Sequence, residues 1–492
     1  MLFGLIHWPF NLIPMNTILW HDYETFGIDP AQDRPCQFAA IRTDLDLQLV
    51  EEPISFYSQP TADVLPAIDA CLVTGITPQL AFKEGLPEPR FFAKIYQEMI
   101  RPNTCSAGYN SLRFDDEVTR HGFFRNFYDP YGREWQNGNS RWDVIDMVRA
   151  CYALRPGGIQ WPESEPGVPS FRLELLTAAN GIDHGNAHDA LSDVRATIAL
   201  AQLIREKQPK LYEYYWGLRK KRTVSDLIDL RHRKPMVHVS SKIPASQGCT
   251  TLVMPLVMHP ENANGVVCLD LTVDPRSWLN ESAEVLREHL YQKAEQLPKG
   301  AVRPPIKTIH LNRSPFIAPL TMLDPVTAER FDIDLSAAQE HWKAYLAEPN
   351  LEAKVVQILE RSFDAPRDVE SSLYSGFIPN TDRPTCERVT QAQETALASD
   401  QFHFQDERLQ ALLFRYRARH FPNSLSPPEQ AQWQADVHTK FFSCADNEPS
   451  FFDRYMHDLV QRLNDDGYSE QREILHALKN WAIDFQHRFS KA

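Results

Sequence analysis

The sequence predicts an N-terminal α/β domain, then a β-rich segment and a helical C-terminal segment. Three observations lead to this prediction. Apolar strands and segments with helical periodicity alternate over residues 17–204. Residues 236–312 hold short alternating or apolar stretches that are typical of strands. After Pro349 the chain is acidic, and its apolar residues recur at the spacing of amphipathic helices.

The first domain opens with two predicted strands, at residues 17–25 and 36–45. The turn residues Gly27, Pro30 and Pro35 lie between them. Hydrophobic periodicity then predicts one further strand and several helices. The strand is expected at 105–109, and the helices at 94–100, 144–153, 173–180 and 190–203.

The helix predicted over residues 190–203 is the clearest of these. Its apolar residues Leu191, Val194, Ile198 and Ala201 have the spacing of one helix face. Asp193 is therefore expected on the first turns of this helix, and residue 188 just before it.

The composition changes twice along the chain, and these changes place the domain boundaries. We expect an extension at 1–16, the α/β domain at 17–204, the β-rich domain at 205–349 and the helical domain at 350–492. A basic run, 219–222, follows the first boundary. Strands are predicted at 237–239, 251–257 and 266–272, and helices at 351–361, 407–417, 428–437 and 452–464.

Bulk properties narrow the class of protein. The length of 492 residues allows two to four domains with ample core. A net charge of −14 argues against a protein that coats nucleic acid with a uniformly basic surface. It is compatible with a local basic groove. The eight cysteines include no C-x-x-C pair, so we expect reduced thiols and a cytoplasmic protein.

The first fourteen residues are apolar but do not have the pattern of a signal peptide. They lack a basic start and include Pro9 and Pro14. We expect a mis-called start, with Met15 as the true initiator. The sequence holds no run of about 20 apolar residues, so no membrane span is predicted.

Four acidic residues are the candidate functional groups. Asp22 and Glu24 alternate on a predicted strand, so both side chains project from one face of it. Asp115 and Asp193 follow at long range. Adjacent carboxylates repel each other unless a cation lies between them, and hard divalent ions prefer oxygen ligands. The quartet is therefore a candidate two-metal site for phosphodiester hydrolysis, although each acid alone would be read as an ordinary surface residue.

The order D-x-E, then F-D, then H-x-x-x-x-D resembles the DEDDh branch of the DEDD 3′→5′ exonuclease superfamily. Longer segments are similar to the bacterial exonuclease I family within that branch. They cover nearly the whole chain after Met15, at 21–27, 33–42, 113–120, 170–174, 259–262 and 416–422. The resemblance implies a ribonuclease H-like α/β core, an SH3-like β-rich domain and a helical C-terminal domain.

The resemblance also implies roles for individual residues. Asp22, Glu24, Asp115 and Asp193 would hold two Mg²⁺ ions, with Mn²⁺ as a substitute, and Asp22 would bridge both ions. His188 matches the family histidine that accepts a proton from the attacking water, and its ordinary pKa near 6.5 suits that role. Two neighbouring acids are read differently: Asp189 as a helix N-terminal residue, and Asp116 as pointing away from Asp115.

Arginines and aromatic residues interleave between residues 101 and 155. Arginine grips phosphate bidentately and aromatic faces stack on bases, so this composition is typical of a single-strand groove. The alternative is that the aromatics are core and the arginines pair with nearby acids. We expect about half to contact DNA. Positions similar to those that the family uses, together with Glu24, give the candidate substrate-binding residues Arg120, Tyr131, Trp135, Arg149 and Arg172.

The resemblance implies an exodeoxyribonuclease that degrades single-stranded DNA 3′→5′ to 5′-mononucleotides in DNA repair and recombination. It further implies docking of the C-terminal tail of single-stranded DNA-binding protein, and we expect a monomer. One alternative is another DEDDh exonuclease acting on RNA or short oligonucleotides, which the long C-terminal half argues against. Another is an inactive single-strand-binding scaffold, which a missing carboxylate would favour.

Overall fold

The computed structural model describes residues 16–185, 189–360, 368–398, 401–444 and 448–490. The first domain is built on a mixed five-stranded sheet. Its strands are β1 (Thr17–Thr25), β2 (Pro35–Thr43), β3 (Ile54–Tyr57), β4 (Thr104–Gly108) and β5 (Ser140–Asp143), in the order β3-β2-β1-β4-β5. The pairs β3–β2 and β2–β1 are antiparallel, whereas β1–β4 and β4–β5 are parallel.

Helices cover this sheet. They are α1 (Ile68–Thr74), α2 (Pro78–Glu84), α3 (Glu88–Met99), α4 (Asp115–Arg125), α5 (Val144–Leu154), α6 (Leu173–Ala179), α7 (Ala190–Lys207) and α8 (Pro209–Gly217). The next helix, α9 (Lys221–Leu227), contacts the strand Phe316–Pro319 of the second domain. A small hairpin, β6 (Glu163–Glu165) and β7 (Val168–Pro169), precedes α6. The α/β core predicted from alternating strands and helices is confirmed.

The central strand β1 is buried on both faces, because β2 and β4 flank it and helices cover the sheet. Its apolar residues Ile18 and Trp20 join a hydrophobic cluster, in which Trp20 meets Trp142 edge-to-face at a ring-centroid distance of 6.0 Å. Burial of such aromatic rings gives a large part of the stability of a core. The polar end of β1 is therefore held rigidly.

The second domain is an antiparallel five-stranded sheet. Its strands are β8 (Met236–Val239), β9 (Thr250–Met258), β10 (Gly265–Asp270), β11 (Ile306–His310) and β12 (Phe316–Pro319), in the order β11-β10-β9-β8-β12. Four helices accompany it: α10 (Ala283–Tyr291), α11 (Pro325–Arg330), α12 (Leu335–Ala347) and α13 (Leu351–Leu359). The hydrophobic cluster of the first sheet continues into this domain through Val237.

The C-terminal segment is helical, as predicted. Its helices are α14 (Arg383–Gln391), α15 (Glu394–Leu397), α16 (Glu407–His420), α17 (Pro427–Phe442), α18 (Phe451–Leu463) and α19 (Arg472–Phe489). Buried ion pairs attach it to the first domain: Arg34 to Glu370 at 2.6 Å, and Arg419 to Asp63 at 2.9 Å. None of the helices in the described part of the chain is long and apolar enough to cross a membrane.

Several predicted elements differ from the observed ones in extent. The helix expected at 94–100 begins earlier, at Glu88, and the strand expected to reach residue 45 ends at Thr43. Helix α13 packs on α10, so it contacts the β-rich domain. We propose a domain boundary near residue 360 on that ground. The predicted start at Met15 lies outside the described residues.

Candidate active site

Two carboxylates project from the C-terminal end of β1. Asp22 and Glu24 alternate with the buried Tyr23, so they share one face of the strand. Glu24 is buried and Asp22 is half-buried. Because β1 is the centre of the sheet, its backbone fixes the separation of the two side chains.

Two helices bring the other acids of the quartet to this strand. Asp115 is the first residue of α4, and its Oδ1 accepts a hydrogen bond from the backbone N–H of Tyr23 at 3.1 Å. Asp193 lies in the first turn of α7. Carboxylate oxygens of Asp22, Glu24 and Asp193 all lie within 4.8 Å of one another. The structure thus brings three of the four predicted acids into one cluster, and it places Asp115 beside them, close enough to raise the pKa of Asp22.

Burial and mutual repulsion raise the pKa values of these carboxyls. Burial, reinforced by Asp193 and Asp115, raises the pKa of Glu24 to about 9. Burial raises the pKa of Asp115 to about 8, and the pKa of Asp22 is raised well above its ordinary value by burial and by the neighbouring acids. A divalent cation would relieve this repulsion, and an all-oxygen donor set suits a hard ion. The residues present therefore fit a metal site.

The neighbouring acid Asp116 is held in a separate environment. Its carboxylate pairs with Arg133 at 2.5 Å and with Arg141 at 2.7 Å, and all three side chains are buried. Burial raises the pKa of Asp116, but the two arginines outweigh this effect and hold the pKa well below its ordinary value. Asp116 therefore belongs to an ion-pair network behind the quartet.

Asp189 and His184 lie beside Asp193. Asp189 caps α7, because its Oδ2 accepts a hydrogen bond from the backbone N–H of Ser192 at 3.2 Å. This is the role expected from the sequence.

The predicted proton acceptor His188 lies outside the described residues. Sequence reasoning missed His184, whose Nε2 is 2.5 Å from Asp193 Oδ1 and whose Nδ1 is 3.0 Å from Thr177 Oγ1. The spacing between His184 and Asp193 is not that of the H-x-x-x-x-D motif, so the motif could not reveal this histidine.

A cleft of about 300 Å³ opens beside the carboxylates. Asp22, Asp193 and Arg172 line it together; the side chain of Arg172 is 70% exposed and pairs with Glu174. Other lining residues are Tyr109, Asn110, Ile145, Phe171, Leu173, Glu174 and Thr197. The cleft therefore joins carboxylates, a cation and aromatic faces at one place, which suits a nucleotide.

The remaining predicted DNA contacts lie in different environments. Trp135 is 67% exposed, and Tyr131 is half-buried against Phe377 of the C-terminal segment at a ring distance of 5.8 Å. Arg120 is buried and bonds to Glu134 and Glu117 at 2.7 and 2.8 Å. Arg149 is buried and pairs with Asp146 at 2.6 Å. A DNA contact by either arginine requires it to leave an acidic partner.

The interleaved arginine and aromatic residues are in large part structural. Arg125, Arg133 and Arg141 join Arg120 and Arg149 in buried ion pairs with acids. Four of the aromatics belong to the hydrophobic core: Phe123, Phe124, Phe127 and Trp142. The sequence pattern cannot separate these residues from groove residues, because arginine suits a buried carboxylate and a phosphate equally well.

Comparison with protein families gives three matches along the chain. Residues 19–201 match the family described as exonuclease. Residues 219–361 match the exonuclease I SH3-like domain, and residues 367–485 match the exonuclease I C-terminal domain. These matches confirm the predicted ribonuclease H-like core, SH3-like domain and helical C-terminal domain in that order.

Whole-chain relatives agree with the domain matches. The exodeoxyribonuclease I of Haemophilus influenzae is 47% identical over 417 residues, covering 84% of this chain and 88% of the relative. That of Escherichia coli K12 is 44% identical over 472 residues, covering 95% and 98%.

Solved structures of exonuclease I are also similar. Escherichia coli exonuclease I in complex with a dA16 oligonucleotide superposes with a TM-score of 0.90 at 43% identity, covering 96% of this chain and 100% of the other. A zinc-bound form of the complex with single-stranded DNA gives the same values. A complex described as SSB/exonuclease I with an inhibitor gives a TM-score of 0.87 at 42% identity, covering 96% and 100%.

Proposed function

The chain belongs to the exodeoxyribonuclease I family, and we propose on that premise that it degrades single-stranded DNA from the 3′ end to 5′-mononucleotides. Family membership makes it a hydrolase acting on DNA. The observation that supports the proposal most strongly is the cluster of Asp22, Glu24 and Asp193 oxygens within 4.8 Å, at the end of a buried strand. Such a cluster suits metal-assisted phosphodiester hydrolysis.

We assign the metal to the acidic quartet, as two Mg²⁺ ions with Mn²⁺ as a substitute. Bound there, the ions supply charge neutralisation and a more acidic water. Asp22 is the most central ligand, because the other three acids all raise its pKa. Asp115 is held by the Tyr23 backbone N–H, so its free oxygen can face the ions.

Other residues bind the substrate and move the proton. Arg172 lines the same cleft as Asp22, and its guanidinium can hold the phosphate next to the scissile bond. Exposed Trp135 and half-buried Tyr131 offer faces on which unpaired bases can stack. His188, by its resemblance to the family histidine, accepts the proton of the attacking water.

The cellular setting follows from the same premise. We propose a cytoplasmic monomer that acts in DNA repair and recombination. We further propose that it docks the acidic C-terminal tail of single-stranded DNA-binding protein, because one similar solved structure is described as SSB/exonuclease I in complex with an inhibitor. Pull-down with and without that tail tests the docking.

The direct test is cleavage of a 5′-labelled single-stranded oligonucleotide with Mg²⁺, beside a matched duplex and a matched RNA. We expect a ladder that shortens from the 3′ end on single-stranded DNA alone and that is lost in Asp22→Ala. Efficient RNA cleavage would instead favour the ribonuclease members of the DEDDh branch. Binding with no cleavage at any metal concentration would make the chain a scaffold.

A further inference from the structure

We propose that Gln37 is a positioning residue that sets the distance between the carboxylates of β1 and Asp193 of α7. The inference rests on the proposed function, because it concerns the same metal site. Asp22 and Glu24 come from a strand, whereas Asp193 comes from a helix that reaches the sheet much later in the chain. Their oxygens meet within 4.8 Å only if helix and sheet are held in register.

Gln37 lies at the point where helix and sheet must be joined. It is on β2, directly opposite Glu24 in the antiparallel pairing, so both side chains project from the same face of the sheet. Its side chain is buried. Buried amides require partners for both their donor and their acceptor atoms.

Two hydrogen bonds of Gln37 reach the start of α7, and a third, longer one runs from its Nε2 to Ser55 Oγ on β3 at 3.4 Å. The amide Nε2 donates to Asp189 Oδ1 at 3.1 Å, and the amide Oε1 accepts from the backbone N–H of Ala190 at 3.3 Å. This two-point attachment fixes both the position and the orientation of the helix start. One helical turn later, the N–H of Asp193 donates to the carbonyl of Asp189 at 3.1 Å. The metal ligand is therefore linked to Gln37 through a single turn.

The chemistry of glutamine is needed here. A carboxylate at residue 37 would face the carboxylate of Asp189, and an apolar side chain would leave Asp189 without this donor. Asparagine has the same amide group but is one methylene shorter, so it would not span the gap. Metal sites need their ligands within about 0.5 Å of the correct geometry, and loss of the attachment would relax that geometry.

The test compares Gln37→Met with Gln202→Met. Gln202 is also on α7 and also joins it to the sheet side, through Nε2 to the carbonyl of Leu47 at 3.1 Å, but it lies near the far end of the helix from Asp193. Each variant therefore removes a glutamine contact between α7 and the sheet side, with Gln202 exposed and Gln37 buried. Binding of Mg²⁺ is measured by calorimetry and by the Mg²⁺-induced rise in Tm, beside kcat and KM on an oligonucleotide.

We expect Gln37→Met to weaken Mg²⁺ binding ~10-fold or more, in the range of changes that loss of a ligand's supporting contact causes. Cleavage should fall at fixed Mg²⁺ and recover in part at higher Mg²⁺, with KM for the oligonucleotide unchanged. Gln202→Met should match wild type in Mg²⁺ affinity. Gln37→Asn, which retains a polar amide, serves if Gln37→Met does not fold and should shift Mg²⁺ affinity in the same direction.

Two results would count against these ideas in different ways. Wild-type Mg²⁺ affinity in both Gln37 variants would overturn the positioning role and leave the proposed function intact. Wild-type protein that neither binds Mg²⁺ nor cleaves DNA would overturn the proposed function, and the positioning role with it.

Discussion

Asp115 and Asp116 are neighbours in sequence and both are buried, yet their environments shift the pKa of the carboxyl in opposite directions. Asp115 faces other carboxyls, and burial raises its pKa to about 8. Asp116 faces Arg133 and Arg141, which hold its pKa well below the ordinary value against the effect of burial. The difference lies in whether a cationic side chain of the protein balances the charge.

This comparison separates a chemical region from a structural one. A balanced carboxylate such as Asp116 is a fixed part of the fold, and removal of one partner leaves buried charges without compensation. The quartet around Asp22 is acidic on several sides and destabilises the metal-free protein. An unbalanced buried cluster of this kind is retained for function, as perturbed pKa values at functional sites indicate.

The largest expected effect is on catalysis. Asp22→Asn should reduce cleavage by roughly three orders of magnitude or more, because metal position and charge stabilisation fail together. The same change should raise the Tm of the metal-free protein, since asparagine is neutral and avoids the free-energy cost of protonating a buried carboxyl on folding. Cleavage assays and thermal unfolding in EDTA measure the two effects. Glu165→Gln, on the exposed hairpin β6–β7, is the control and should change neither. Loss of both activity and Tm would mean that Asp22 is structural.

The next effect is on the free energy of unfolding. Here the sensitive residue should be Asp116 and not an acid of the quartet. Asp116→Asn should destabilise the protein by about 3–5 kcal/mol, because Arg133 and Arg141 lose their buried counter-charge. Asp115→Asn should cause no comparable loss without metal, since the raised pKa of Asp115 already favours the neutral form. Urea unfolding in EDTA measures the free energy for each variant. Equal losses in the two variants would contradict the comparison.

A smaller effect concerns DNA affinity. Trp135 is exposed, so Trp135→Ala should weaken binding of single-stranded DNA by ~1–3 kcal/mol through lost base stacking, with Tm unchanged. Phe82→Ala removes another exposed aromatic side chain, one on α2 that packs near Trp481, and should leave DNA affinity unchanged. Fluorescence anisotropy with a labelled oligonucleotide measures both. Equal affinities for wild type and Trp135→Ala would remove Trp135 from the groove.

The smallest effect is the pH dependence of stability without metal. A carboxyl whose pKa is raised in the folded state contributes stability that is complete below its ordinary pKa and is lost as pH rises through the folded value. Glu24, with a pKa of about 9, should therefore lower the Tm between about pH 5 and 9. Glu24→Gln should show a flatter decline than wild type over this interval. A steeper decline in the variant would contradict the raised pKa.

The sequence predicts the fold and the acid cluster because both depend on local pattern. Strand alternation places Asp22 and Glu24 on one face, and helical periodicity places Asp193 in the first turn of α7. Asp189 was identified as a helix cap for the same reason. Each of these inferences needs only a few residues of sequence.

The ion-pair network could not be predicted in the same way. Arg133 and Arg141 contact Asp116 only because the segments that hold them pack against α4. Arginines are equally suited to phosphate and to buried carboxylate, so composition alone overstated the DNA groove. The contact of His184 with Asp193 likewise depends on the path of the loop after α6.

The raised pKa values of Asp22, Glu24 and Asp115 predict that these carboxyls bind protons when no metal is present. Calorimetry of Mg²⁺ binding at pH 7, in buffers of different ionisation enthalpy, measures the protons that are released. With a pKa of about 9 for Glu24, a pKa of about 8 for Asp115 and a strongly raised pKa for Asp22, we predict release of roughly two to three protons per chain. Mg²⁺ binding with no proton release would contradict the claim.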